Sequence, residues 1–127
     1  MPEYYAEYID GKRRYFELVF IADNSVYKKY DSNEQHVHDR LQSIASAVNS
    51  LYAPLNIRVA LVWADILRAT NASIEVTEEA DKTLRDFLGF RKKVLAEHGH
   101  DNAQLLTDVR FGAVIGKAYK GTMCLLL

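Results

Sequence analysis

Apolar positions along this chain follow two different periods. Tyr15 to Ala22 (YFELVFIA) is a nearly continuous apolar, β-rich run, the pattern of a strand covered on both faces. Asp23-Asn24-Ser25 follows as a turn cluster, because short polar side chains hydrogen-bond their own local backbone. Ser32 and Gln35 then stand at capping-box spacing, and Val37, Leu41, Ile44, Val48 and Leu51 recur at steps of four and three. That stripe predicts an amphipathic helix to about Tyr52, stopped by Ala53-Pro54. Asn56 to Trp63 predicts a second strand, with Ile57, Val59, Leu61 and Trp63 on one face and Arg58, Ala60 and Val62 on the other. Thr77-Glu78-Glu79 opens a second helix, with acidic residues near its positive end. Leu84, Phe87, Leu88, Val94 and Leu95 carry its stripe to about Glu97, and His98-Gly99 closes it. Ala103 to Val109 and Ala113 to Tyr119 read as third and fourth strands, the last weakened by Gly116. Strands alternating with helices specify an α/β fold: a mostly parallel, twisted sheet with flanking helices and right-handed crossovers. Residues 1–13 lack any period and read as an extended lead-in, leaving residues 14–127 as the folded unit.

Composition narrows the function classes. The 127 residues are 49% hydrophobic and 26% charged, the balance of a globular domain. Sixteen basic against seventeen acidic residues leave a formal charge of -1, so no nucleic-acid partner is expected. No apolar run approaches the roughly 20 residues needed to span a bilayer, so no membrane contact is expected from this segment. The opening MPEYYAEYIDGKRR has no apolar core of a signal peptide. The single cysteine, Cys124, excludes an internal disulfide and a Cys-rich zinc site.

Several residues are candidates for chemistry. The four histidines form two His-x-His pairs, His36/His38 and His98/His100. The first pair falls in a helix, where positions two apart point about 200° from each other and do not share a metal. No H-E-x-x-H is present, so these residues contain no catalytic zinc motif. Asp23 and Ser25 follow an apolar strand, where α/β sheets place cations and ligands. A non-catalytic interaction module holding a partner protein through a cation there is one reading; a turn cap is the commoner one. Glu17 sits inside an apolar strand, a costly place unless its carboxylate faces solvent, is paired or binds a metal. Asp101, in the loop before the third strand, is a distant candidate to share a cation with it. Asn71-Ala72-Ser73 is a glycosylation sequon, meaningful only in the secretory pathway. Lys12-Arg13-Arg14 has the character of either a processing site or a solvated charge run.

The ordered segments carry more information than any one of them. FELVFIAD (16–23) and VYKKY (26–30) come first, then LYAPLNIRVALV (51–62), HDNAQLLT (100–107), IGKAY (115–119) and Met123-Cys124. Together they resemble the reprolysin (adamalysin, ADAM-type) family of metzincin zinc endopeptidases, from about Arg14 to Cys124. The resemblance implies the upper subdomain of a zincin-like fold, a zinc helix bearing H-E-x-x-H-x-x-G-x-x-H, and hydrolysis of peptide or protein substrates by zinc-activated water. This sequence stops before that motif, so the expectation is a truncated, N-terminal portion of such a domain, inactive alone. By the same resemblance Glu17 and Asp101 match two positions of a structural calcium site whose other ligands are not among these residues. Ile115, Gly116, Lys117 and Ala118 match the edge strand that pairs with substrate by β-augmentation. Cys124 matches a half-cystine whose partner lies elsewhere. Secretion or display on the outer side of the plasma membrane is implied too, with Asn71 then open to glycosylation. An exposed sheet edge in such a portion favours self-association.

Overall fold

A computed structural model of the chain describes residues 11–68, 74–93 and 97–120. Asn71, Cys124, Val94, Leu95 and the first ten residues of the expected lead-in lie outside the described residues. Strand β1 (Arg14–Ala22) is the middle of a three-stranded parallel sheet, with β2 (Ile57–Ile66) on one side and β3 (Asn102–Leu106) on the other. Its second half, Leu18 to Ala22, is buried at every position. That continuous apolar run is what a central parallel strand covered on both faces requires.

Helix α2 (Glu34–Tyr52) covers one face. Val37, Leu41 and Ala45 pack on Leu18, Phe20, Ala22, Val59 and Ile66. The helix begins one residue later than the capping-box spacing suggests. Asn33 is the N-cap, its side chain accepting from His36 N at 3.1 Å, while Asp31 and Ser32 turn through φ 55°. The stripe also ends earlier, since Leu51 is 76% exposed. Pro54 stands in a single 3-10 turn, Ala53–Leu55, closed by Asn56 in the left-handed region.

Helix α3 (Ala80–Lys93) covers the other face, with Phe87 and Phe90 packed on Val19, Ile21 and Leu67. It starts at Ala80, later than Thr77, because the Thr77 and Thr83 groups bond one another across its first turn (Thr83 Oγ1 to Thr77 O, 3.2 Å). A short helix, α1 (Asn24–Lys29), begins inside the Asp23-Asn24-Ser25 cluster expected to be a turn.

Two expectations about the sheet change. Leu18 pairs with Leu61 but Val19 pairs with Trp63, so Val62 is an extra residue on β2. A bulge of one residue reverses the face of everything after it. Leu61 therefore packs toward α2, whereas Trp63 joins the α3 cluster. The four alternate residues Ile57, Val59, Leu61 and Trp63 do not share one face. Second, the expected fourth strand at residues 113–119 is not formed. Gly112, at φ 66°, makes a tight turn bridged between Phe111 and Val114, and Ile115 is fully exposed. A strand needs a hydrogen-bonding neighbour, and among the described residues none runs beside this segment.

Candidate functional site

The fold distributes the candidate residues over three places. The first lies at the entry half of β1, on the α3 face. Alternation puts Phe16 and Leu18 toward α2, so Glu17 shares the α3 face with Val19 and Ile21. Its side chain is exposed, which satisfies the solvation that a carboxylate demands. Asp101 is brought directly to it across 84 residues of sequence. Glu17 N donates to Asp101 Oδ2 at 2.8 Å, and Asp101 N donates to Glu17 O at 2.9 Å. Both bonds join Asp101 to the main chain of Glu17. No ion pair engages either carboxylate among the described residues.

The turn that delivers Asp101 is held from two further sides. His98 stacks on Trp63 with ring centroids 4.2 Å apart and planes at 12°. His100 bonds the His98 carbonyl through Nδ1 at 2.6 Å, while Arg91 Nε of α3 donates to its Nε2 at 3.0 Å. Those bonds require the neutral tautomer with hydrogen on Nδ1. Neither histidine ring is arranged with others as a zinc site. Among the described residues no three His, Cys, Asp or Glu side chains are placed to hold one metal. The donor set for catalytic zinc is therefore absent from the described residues.

The second place is the crevice at the carboxyl ends of β1 and β3. With β1 between β2 and β3, this is the point where the chain switches sides of the sheet, the usual ligand position in α/β folds. Asp23 is 5% exposed there. Its Oδ1 accepts from Ser25 Oγ at 2.6 Å and from Val26 N at 3.1 Å, and its Oδ2 accepts from Thr107 Oγ1 at 2.5 Å. Asp108 N donates to Ser25 Oγ at 2.8 Å, and Lys29 pairs with Asp108 at 3.1 Å. Both Asp23 oxygens are engaged by the chain's own donors. The cluster caps α1 and ties the ends of β1 and β3 together. Thr107 and Asp108 were not singled out by sequence as its members, because no local pattern links residues 84 positions apart.

The third place is the outer edge of β3. A cleft of about 530 Å³ runs along it, walled by Arg40 and Leu41 of α2, Phe87 and Arg91 of α3, and the segment carrying Ile115 to Ala118. Lys117 is ion-paired with Asp81 in the first turn of α3. On the same helix, Lys82 hydrogen-bonds Asp86 at 2.9 Å. That bond and the carboxylate's charge raise the ammonium pKa above its ordinary value.

Comparison with known proteins adds a family to this geometry. The profile described as "Reprolysin (M12B) family zinc metalloprotease" matches residues 14–127. A curated relative from Caenorhabditis elegans, disintegrin and metalloproteinase domain-containing protein adm-2, is 44% identical over 124 residues. That alignment covers 97% of this chain and 13% of the relative's length.

Proposed function

The chain belongs to the reprolysin (M12B) family of zinc metalloproteases, and from that premise we propose that it forms the N-terminal portion of a protease catalytic domain. The observation that carries the reading is the family match over residues 14–127, joined to a parallel sheet covered on both faces. The complete domain hydrolyses peptide bonds in protein substrates. Within it, Ile115 to Ala118 pair with the extended substrate, their backbone groups supplying affinity and Gly116 admitting close approach. Cys124 is half of a disulfide, Asn71 is a glycan site, and the domain works outside the cell or at the outer membrane surface. No helix among the described residues is long and apolar enough to cross a membrane.

Alone, this chain is inactive, because its residues contain no H-E-x-x-H to hold zinc and polarise water. Incubation with zinc and a quenched peptide library is expected to give no turnover that a chelator removes. Chelator-sensitive cleavage by the purified chain would overturn the reading. The outer edge of β3, which no strand pairs with among the described residues, supports self-association of the isolated chain. Sedimentation over a concentration series is expected to show reversible oligomers, and a monomer throughout the series contradicts that part.

Glu17 and Asp101 are proposed as two ligands of a structural calcium. Their chemistry suits a hard cation: two carboxylates on the protein's surface, one of them oriented by a backbone N–H. Calcium takes about six to eight oxygens, so this pair supplies part of a shell. Affinity of the isolated chain is expected on the order of 10⁻³ M or weaker, the range of weak extracellular sites.

A further inference from the structure

We propose that Trp63 is a positioning residue for Asp101, and that the bulge at Val62 exists to aim it there. The proposal deepens the calcium reading of Glu17 and Asp101, and rests on it only for the affinity arm of the test.

The strand ladder sets the direction of Trp63. Without the extra residue, Trp63 falls on the α2 face with Leu61 and Val59. With it, Trp63 stands opposite Val19 on the face that carries Glu17. Re-aiming one side chain is a recurrent use of bulges beside functional sites. Glu17 is two residues back along the neighbouring strand, so strand spacings place the two Cα positions roughly 8 Å apart. The indole is thus a lateral neighbour of the Glu17 and Asp101 pair.

What the indole does there is visible in its partner. It stacks on the ring of His98, three residues before Asp101. The turn between them has no regular secondary structure of its own apart from local bends. Its geometry is set by three anchors: Trp63 of β2 at His98, Arg91 of α3 at His100, and the Glu17 backbone at Asp101. Two of these are polar bonds at the turn's end, each open to competition from water. The aromatic stack supplies area and orientation instead, and fixes where the turn starts. With that start fixed, Asp101 arrives in register for both bonds to Glu17. Without it, the Asp101 carboxylate has more positions available and its bond from the Glu17 N–H is less populated.

The test compares Trp63→Ala and Trp63→Phe with the unmodified chain by amide hydrogen exchange and by calcium titration. In Trp63→Ala, the Glu17 and Asp101 amides are expected to exchange at least about tenfold faster, while Phe20 and Ile21 amides stay near their original rates. Trp63→Phe, which keeps a stacking ring, is expected to restore most of the protection. Calcium titration followed by NMR shifts of those two amides is expected to show affinity about tenfold lower in Trp63→Ala, the loss typical when a ligand's supporting residue is removed. Unchanged exchange at Glu17 and Asp101 in Trp63→Ala overturns the proposal. So does equal acceleration through all of β1, which marks general destabilisation. If the unmodified chain shows no calcium response while exchange changes as expected, the calcium reading fails and the positioning role stands.

Discussion

Replacing Leu41 by alanine is expected to reduce the unfolding free energy by about 3 to 4 kcal/mol, within the usual range for a fully buried leucine. Leu41 is 1% exposed at the centre of the α2 face, against Leu18, Phe20 and Val59. The sheet beneath it has three strands among the described residues, so few neighbours are positioned to collapse into the cavity. Domains of this size are stable by only about 5 to 15 kcal/mol, so one truncation removes a large share. Leu51→Ala is the control, since Leu51 lies on the same sequence stripe but is 76% exposed. Its effect is expected within about 0.5 kcal/mol. Urea denaturation at constant m-value checks both, and equal midpoint shifts for the two variants contradict this packing.

That pair of leucines also marks how far the sequence could be read. Period alone places Leu51 with Leu41, because a helix pattern carries no information about where the sheet beneath it ends. Strand β1 was legible because five consecutive buried residues leave little alternative. The parallel sheet with flanking helices followed from element order, and the family from strings such as HDNAQLLT. The bulge at Val62 was not legible: an extra residue is defined by its partner strand, and β2 by itself alternates well. Nor was the absence of a strand at residues 113–119, whose β-like composition forms a ladder only where a neighbouring strand accepts it. Glu17 and Asp101 were matched by resemblance to a family, and the geometry then supplied their mutual hydrogen bonds. Asp23 and Ser25 stand out in the sequence as a candidate cation site or a turn cap, but their partners Thr107 and Asp108 depend on how β1 and β3 align.

Asp23→Ala is expected to destabilise the chain by about 3 kcal/mol, for reasons that do not involve a ligand. The substitution removes the α1 cap, typically about 1 kcal/mol. It also strips a charged acceptor from the hydroxyls of Ser25 and Thr107. Hydrogen bonds to charged groups contribute roughly 1.5 to 3 kcal/mol each, partly recovered here because the two hydroxyls are 3.2 Å apart and can bond one another. Asp23→Asn keeps an acceptor oxygen for the Val26 N–H and is expected to lose about half as much. Thr107→Val removes one arm alone, and a double-mutant cycle with Asp23→Ala is expected to give a coupling of about 1 to 2 kcal/mol. Additive losses in that cycle contradict the clasp. The same variants decide the role of the crevice at the ends of β1 and β3. A clasp satisfied by its own hydroxyls gives melting temperatures indifferent to millimolar magnesium, in the original chain and in Asp23→Ala alike. A magnesium-dependent rise in the original chain that Asp23→Ala abolishes would instead make this carboxylate a cation ligand, because only a group that binds the ion in the folded state couples its concentration to stability.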